Sequence, residues 1–237
     1  MNGLIALLGS GEYLPVMDEV DRYILTHSTV NGNKPCVVCL PTAAGREGYE
    51  SVNRWSRMGI EHFTRLDADV QAVPIIDKDS ANDPQWESAL ENANLIYFSG
   101  GDPNHLFDTL HGSCAWSAAQ KAWARGAVYA GCSAGAMILG KCIPDMRRAG
   151  FASLPGFGIM PATFIVPHFD AIPSIWKPIV FALRSRLKTG EIMLGIDEDT
   201  ALVGKLGSTW KVMGKSQVHV FSRGDKESYG MGDEVKI

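Results

Sequence analysis

Short apolar runs alternate along this chain with longer amphipathic stretches, and that alternation limits the folds available to it. The strand candidates are Leu4–Leu8, Cys36–Leu40, Val70–Ile75, Leu95–Phe98, Val128–Ala130, Phe164–Val166 and Ile192–Ile196. The helix candidates are Val16–His27, Gly48–Phe63, Pro84–Asn92, Pro103–Leu110, Ala115–Arg125 and Ile175–Lys188. This order favours an α/β fold with a mostly parallel central sheet and helices on both of its faces. Ligands bind such sheets beyond the carboxyl ends of the strands, so polar residues at those ends are the candidates for function.

The tail of the chain has a different pattern. Ala201–Val203, Thr209–Met213 and Val218–Phe221 are short apolar or alternating runs separated by glycine-containing turns. They predict a small antiparallel β appendage at one edge of the sheet. No change of composition divides the 237 residues, so residues 1–237 are expected to form a single α/β domain.

Charge and cysteine usage exclude several classes of function. The formal net charge is −4 and no basic cluster is present, which argues against nucleic acid as a partner. The five cysteines are odd in number and scattered, and Cys36 and Cys39 lie inside an apolar run, so we expect core thiols and neither disulfides nor a zinc site. The apolar run at the start stops at Gly9, and no stretch reaches membrane-spanning length. A cytoplasmic protein with no membrane partner, metal or cofactor is expected.

One segment points to a nucleophile. Gly131-Cys132-Ser133-Ala134-Gly135 follows an apolar strand and opens another apolar run, which predicts a strand, a sharp turn and a helix with Ser133 at the apex. Glycines two residues before and two residues after the serine remove the Cβ atoms that would clash in so tight a reversal. The hydroxyl of Ser133 is then exposed at the carboxyl edge of the sheet. A small-residue turn needed only for helix–strand packing would give the same pattern.

A second glycine-rich loop could complete an oxyanion hole. Gly100 and Gly101 follow the strand candidate Leu95–Phe98. The backbone N–H groups of Gly101 and Ala134 would stabilise the negative charge that develops on an attacked carbonyl oxygen. Asp102 before Pro103 is also a good start for a helix, whatever its other role.

The base and the acid are sought at the other strand ends. Among the six histidines, His168 is distinguished because it comes directly after an apolar strand. Asp197, Glu198 and Asp199 follow the strand candidate Ile192–Ile196, and the pattern does not choose among them as the carboxylate that orients the imidazole. Three clustered acids could equally form a divalent cation site or a solvated turn.

Four motifs, in this order, resemble the serine peptidase family of dipeptidase E and cyanophycinase. They are Gly100-Gly101-Asp102, Gly131–Ala136, His168-Phe169 and Gly195–Leu202. The resemblance runs from Leu8-Gly9-Ser10-Gly11-Glu12 to about Val203. It implies a class I glutamine amidotransferase-like fold, a Ser133–His168–Glu198 triad and hydrolysis of short peptides, with an aspartyl preference in the dipeptidase E branch. The choice of Glu198 comes from the resemblance alone.

The chain departs from the cyanophycinase pattern where substrate is bound. Pro103 and Pro167 stand where those sequences carry glutamine, and Lys177 is the first basic residue after His168. A pocket specific for an aspartyl-arginine polymer is therefore not the first expectation, and a cyanophycinase-like hydrolase of that polymer or of its dipeptides is kept as an alternative. The candidate substrate-binding residues are Asp102, Asn104 and Lys177. Other cations that could bind an aspartyl group are Arg147, Arg148, Arg184 and Arg186.

Two other interpretations remain open. An esterase of the α/β-hydrolase kind would use Ser133 with Asp197 or Asp199 and with His219. An amidotransferase-like domain without peptidase activity would keep the same residues as a binding or regulatory site. The expected partner is a small peptide substrate, and a homodimer is compatible with the tryptophan and methionine content.

Overall fold

The computed structural model describes residues 2–28, 34–144 and 153–237. Its strands are β1 (Ile5–Leu8), β2 (Cys36–Leu40), β3 (Asp69–Ala72), β4 (Leu95–Phe98), β5 (Val128–Cys132), β6 (Cys142–Pro144), β7 (Ser153–Pro155), β8 (Thr163–Val166), β9 (Ile192–Ile196), β10 (Thr200–Gly204), β11 (Thr209–Gly214), β12 (Val218–Phe221), β13 (Lys226–Tyr229) and β14 (Glu234–Lys236). Its α-helices are α1 (Asp18–Thr26), α2 (Tyr49–Arg65), α3 (Glu87–Asn92), α4 (Pro103–Leu110), α5 (Cys114–Ala124), α6 (Ala134–Met137) and α7 (Lys177–Ser185).

The largest sheet has eight strands in the order β14-β11-β10-β1-β5-β4-β2-β3. The five strands from β1 to β3 in that order are parallel, whereas β10, β11 and β14 extend the β1 edge antiparallel. The strands β4 and β5 are buried along their whole length, as expected of parallel strands covered on both faces. The predicted mostly parallel α/β fold is therefore confirmed.

Helices cover both faces of this sheet. On one face Val20 of α1 and Phe63 of α2 belong to the same apolar cluster as Leu8. On the other face Leu106 of α4 and Ala119 of α5 belong to the cluster that contains the neighbouring strand residues. Successive residues of a strand point to opposite faces, so the continuous apolar runs of the sequence supply both clusters.

Strand and helix boundaries differ from the sequence prediction by a few residues. The strand predicted over Val70–Ile75 is β3, which ends at Ala72. The helix predicted over Ile175–Lys188 is the shorter α7. The helix predicted from Val16 begins as a 3₁₀ turn over Pro15–Met17 and continues as α1 from Asp18.

The antiparallel tail has a different arrangement from the single appendage we expected. Only β10, β11 and β14 join the large sheet, whereas β12 and β13 belong to a second sheet of order β13-β12-β9-β8. In that second sheet β8 and β9 are parallel. The chain therefore passes from one sheet to the other between β9 and β10, through residues 197–199. This crossing carries all three candidate acids.

The strands β6 and β7 form a two-stranded antiparallel sheet that was not predicted from the sequence. Within the described part of the chain, no helix is both long and apolar enough to cross a lipid bilayer.

Candidate active site

Ser133 lies at the junction of β5 and α6, where the sequence predicted a strand, a turn and a helix. Its backbone has φ +49° and ψ −105°, a conformation that non-glycine residues rarely adopt and that is stabilised by the surrounding structure. A Cβ on Gly131 would lie 2.4 Å from the carbonyl of Gly135, and one on Gly135 would lie 2.4 Å from the carbonyl oxygen of Phe98. The two glycines therefore permit the reversal that presents the serine hydroxyl.

The imidazole of His168 lies between the hydroxyl of Ser133 and the carboxylate of Glu198. His168 Nε2 is 3.1 Å from Ser133 Oγ, and Nδ1 is 2.8 Å from Glu198 Oε1. Because a carboxylate only accepts hydrogen bonds, Nδ1 donates to Glu198 and Nε2 accepts from the serine hydroxyl. The arrangement can move a proton from the hydroxyl to the imidazole and stabilise the imidazolium that forms.

These three residues come from two different sheets. Ser133 follows β5 of the large sheet, whereas His168 and Glu198 follow β8 and β9 of the second sheet. Val166 pairs with Gly195 in parallel register, so the chain leaves both strands at the same edge. His168 has φ +49°, a second non-glycine residue in the left-handed region.

Two backbone hydrogen bonds stabilise the segment that carries Glu198. Its N–H donates to Asp170 Oδ1 at 2.8 Å, and the N–H of the next residue, Asp199, donates to Ser10 Oγ at 3.1 Å. The side chains of Glu198 and His168 are 45% and 41% exposed, so a substrate can reach them and water screens their interaction in part.

The structure separates the three acids that the sequence could not rank. Asp197 is buried, and its carboxylate accepts from Ser216 Oγ at 2.7 Å and from the N–H of Gln217 at 3.2 Å. It also lies 3.1 Å from His219 Nε2. Asp199 Oδ2 lies 3.7 Å from Lys215 Nζ. Glu198 is the acid of the three that contacts His168.

His219 was the base of the esterase interpretation. Both of its ring nitrogens have other partners, because Nε2 lies 3.1 Å from Asp197 and Nδ1 lies 2.8 Å from Ser228 Oγ. The ring is 8% exposed and stabilises the crossing between the sheets. This geometry leaves no ring nitrogen of His219 for Ser133.

The glycine pair after β4 lies beside Ser133. A Cβ on Gly100 would lie 3.4 Å from the Cβ of Ser133. Gly101 has φ +142°, and a Cβ there would lie 2.5 Å from the carbonyl of Ala43, so this close backbone approach requires glycine. The N–H groups of Gly101 and Ala134 have no acceptor among the residues that the structure describes.

The side chain of Glu12 stabilises this glycine loop by hydrogen bonding, a role that was not predicted from the sequence. Its Oε1 accepts from the N–H of Gly100 at 2.9 Å, and its Oε2 accepts from the thiol of Cys132 at 3.0 Å. Glu12 therefore connects the loop before Gly101 to the strand before Ser133. Burial, and after it the charge of Glu12, raises the pKa of the Cys132 thiol well above its usual range. Cys132 is thus an unreactive neutral thiol next to the serine.

A cavity of about 790 Å³ opens over the three residues. One side of it is polar. There Arg46 donates to Asp102 Oδ2 at 3.0 Å, and Asp102 also accepts from the N–H groups of Asn104 and His105 at the start of α4. Glu47 lines the same side. The other side is apolar and is formed by β8, by the segment after His168 and by α7.

Two of the three candidate substrate-binding residues line this cavity, and the third does not. Asp102 and Asn104 line it, whereas Lys177 is exposed and is not among its lining residues. Arg184 lies over the ring of Phe221, 5.1 Å from its centroid. Arg147 and Arg148 fall outside the residues that the structure describes. Arg46 could not be predicted from a local pattern, because it lies in a 3₁₀ segment after β2 that only the fold brings to Asp102.

Comparison with known proteins matches residues 5–208 to the family described as Peptidase family S51. The chain is similar over its whole length to a crystal structure of a peptidase from an acI-B1 Actinobacterium, with 36% identity, a TM-score of 0.90 and coverage of 98% of that chain. It is 26% identical over 233 residues to cyanophycinases of Synechococcus elongatus and Thermosynechococcus vestitus, which covers 92% of this chain and 67% of theirs. A putative peptidase E protein from Listeria monocytogenes shares the fold at 18% identity and a TM-score of 0.64, covering 91% of this chain and all of that one.

Proposed function

The chain belongs to peptidase family S51 and is a peptidase, and we propose that it hydrolyses short peptides through a Ser133–His168–Glu198 triad. The observation that supports this most is the position of His168, within hydrogen-bonding distance of the serine on one side and of the glutamate on the other. A nucleophile, its base and the group that orients the base are the minimum set for acyl transfer.

In the proposed reaction Ser133 Oγ attacks the scissile carbonyl while His168 Nε2 takes the hydroxyl proton. The carbonyl oxygen becomes an oxyanion, and the N–H groups of Gly101 and Ala134 stabilise it. His168 then gives its proton to the leaving amine as the C–N bond breaks. A water molecule, deprotonated by His168, attacks the acyl-enzyme and releases the acid, which restores the serine hydroxyl.

Glu198 keeps the imidazole in the required tautomer. Since its carboxylate accepts the Nδ1–H, Nε2 is the nitrogen free to take the proton. The negative charge of Glu198 also stabilises the imidazolium, which exists only after proton transfer. It therefore lowers the barrier more than it strengthens substrate binding.

A panel of dipeptides and tripeptides, incubated with wild type and with Ser133→Ala, tests the proposal. Hydrolysis by wild type and a loss of at least about 1,000-fold in Ser133→Ala are expected. Ser208→Ala, at an exposed serine in the turn between β10 and β11, is the matched control and should keep full activity. Equal turnover by wild type and Ser133→Ala would refute the proposed nucleophile.

Two curated relatives are cyanophycinases, so the aspartyl-arginine polymer belongs in the same panel. The cavity gives little support for it as a substrate, because Pro103 and Pro167 line the positions beside Asp102 and His168. We expect short peptides to be hydrolysed and the polymer to be left intact.

A further inference from the structure

The cavity over Ser133 has an apolar wall. We use that name for its lining residues Ile165, Val166, Pro167, Ile172, Trp176, Ile179, Val180 and Leu183. The wall lines the same cavity as Ser133 and His168, and its Pro167 directly precedes His168 in the chain.

The contribution of α7 and its first turn follows a helical repeat. Trp176, Ile179, Val180 and Leu183 are spaced i, i+3, i+4 and i+7, which places them along one face of the helix. That face borders the cavity. Val180 and Leu183 pack in part against a small apolar cluster that includes Val166, but no residue of α7 is fully buried and Trp176 is 40% exposed. An apolar stripe that remains partly exposed at a candidate catalytic centre is typical of a surface that a ligand covers.

The charges on the polar side do not favour an anionic substrate group. Arg46 is the arginine among the lining residues that the structure describes, and a carboxylate substrate would need it. Its guanidinium already donates to Asp102. Glu47 adds a further negative charge on the same side. A carboxylate entering there would have to compete with Asp102 for Arg46 and would lie near Glu47. The wall, by contrast, offers apolar contact without such competition.

Building on the proposed function, we propose that the apolar wall binds a large apolar side chain next to the scissile bond. The substrates are then short peptides with Leu, Met or Phe beside the bond that is cleaved. Filling a pocket of this kind typically changes kcat/KM by about 10- to 100-fold relative to a small or polar side chain. The same preference should hold against aspartyl and arginyl peptides.

The experiment is a peptide library in which the residues on both sides of the scissile bond vary independently among Leu, Phe, Ala, Asp and Arg. Wild type is compared with Ile179→Lys, which places a cation in the wall. The matched control is Phe181→Lys, because Phe181 lies on the same helix, is 70% exposed and does not line the cavity. Residues two apart on a helix point to nearly opposite faces, so the control changes the charge of α7 without changing the wall.

We expect wild type and Phe181→Lys to prefer Leu and Phe at one of the two positions. Ile179→Lys should lose about 10- to 100-fold in kcat/KM on those peptides and gain on peptides with Asp at that position. A wild-type preference for Asp or Arg, or an equal effect of the two lysine variants, would overturn the inference about the wall.

The outcome also separates this inference from the function on which it rests. Hydrolysis that needs Ser133 but shows no apolar preference contradicts the apolar wall alone. No hydrolysis of any library peptide, together with no modification of Ser133 by a fluorophosphonate, contradicts the proposed function and the inference with it.

Discussion

Replacing Glu198 by glutamine tests how much the orienting carboxylate contributes. The substitution keeps the size of the side chain and removes its charge, which lies 2.8 Å from His168 Nδ1. Two unit charges 4 Å apart interact with about 1 kcal/mol in bulk water and about 4 kcal/mol near a protein surface. Since about 1.4 kcal/mol is a factor of ten in rate, these limits correspond to about 5-fold and about 900-fold.

The exposure of the pair places the expected effect between these limits. The side chains of His168 and Glu198 are 41% and 45% exposed, so water screens a large part of the attraction. We therefore expect the lost charge alone to lower kcat of Glu198→Gln by about 10- to 100-fold with KM nearly unchanged, because the imidazolium forms only during the reaction. A glutamine amide that donates to Nδ1 would also favour the wrong tautomer and increase this loss. Steady-state kinetics on the best library peptide measure both constants, and a thermal melt checks the fold.

Asp199→Asn is the matched control for this variant. It removes one negative charge from the neighbouring residue, which lies near Lys215 and not near His168. Its kcat should stay within about 3-fold of wild type, because its carboxylate lies beside Lys215, whose opposite charge offsets it, and solvent screens part of what remains. A larger loss in Asp199→Asn than in Glu198→Gln would refute the assignment of Glu198, and so would full activity of Glu198→Gln.

Three further outcomes follow from the geometry around Ser133. Gly101→Ala should lower kcat at least about 100-fold, because its Cβ would lie 2.5 Å from a backbone carbonyl and displace an oxyanion donor. Gly112→Ala, also at positive φ but with open space around its Cβ, should cost about 1 kcal/mol of stability and no activity. Glu12→Ala should leave a backbone N–H unpaired and lower kcat about 10-fold or more, whereas Glu12→Gln keeps an acceptor and should restore most of the rate. Cys39 is the core thiol we expected, whereas Cys36 is exposed because it lies at the start of β2. Iodoacetamide at pH 8 should label the exposed Cys36 and Cys114 and spare the buried Cys132, whose raised pKa keeps it a neutral thiol, with no loss of peptidase activity.

Kinetics with a thermal melt check the two glycine variants and the two Glu12 variants, and mass spectrometry of tryptic peptides locates the alkylated thiols. Equal activity losses at the two glycines would mean that left-handed strain, and not the oxyanion donor, limits catalysis. Equal losses in the two Glu12 variants would mean that its charge matters more than its hydrogen bond. Rapid labelling of Cys132 in the folded protein would contradict its description as a buried neutral thiol.

Local sequence patterns were sufficient to predict the turn at Ser133. A tight strand-to-helix reversal needs glycine at fixed offsets from its apex, so the five-residue segment around the serine contains its own geometric explanation. The strand-end position of His168 is local in the same sense. The structure brings it to the serine as expected, although their roles in catalysis remain predictions.

The pairing of distant segments could not be predicted in this way. The sequence placed the strand before His168 beside the others, whereas β8 and β9 pair with each other in a second sheet. Alternation of apolar residues indicates a strand but carries no information about its partner. The choice among the three acids depends on the same long-range pairing. In the segment that crosses between the sheets, Asp197 lies next to His219, Glu198 next to His168 and Asp199 next to Lys215.

Supporting residues were missed for a related reason. Glu12 and Arg46 lie in segments without a distinctive pattern, and each acquires its role from one hydrogen bond to a residue far along the chain. Such contacts require the fold to be known first. The apolar wall is a partial exception, since the i, i+3, i+4, i+7 spacing in and before α7 is visible in the sequence. What the sequence could not indicate is that this face borders the cavity.

The most direct test of the account is the identification of the residue that becomes acylated. Wild-type protein is treated with a fluorophosphonate, with and without a competing library peptide, and the modified residue is located by mass spectrometry. If Ser133 is the nucleophile and His168 its base, we expect one adduct on Ser133, protection by the peptide, and a rate of modification at least about 100-fold lower in His168→Ala. Peptide hydrolysis that continues while Ser133 stays unmodified, or equally fast labelling in His168→Ala, would contradict it.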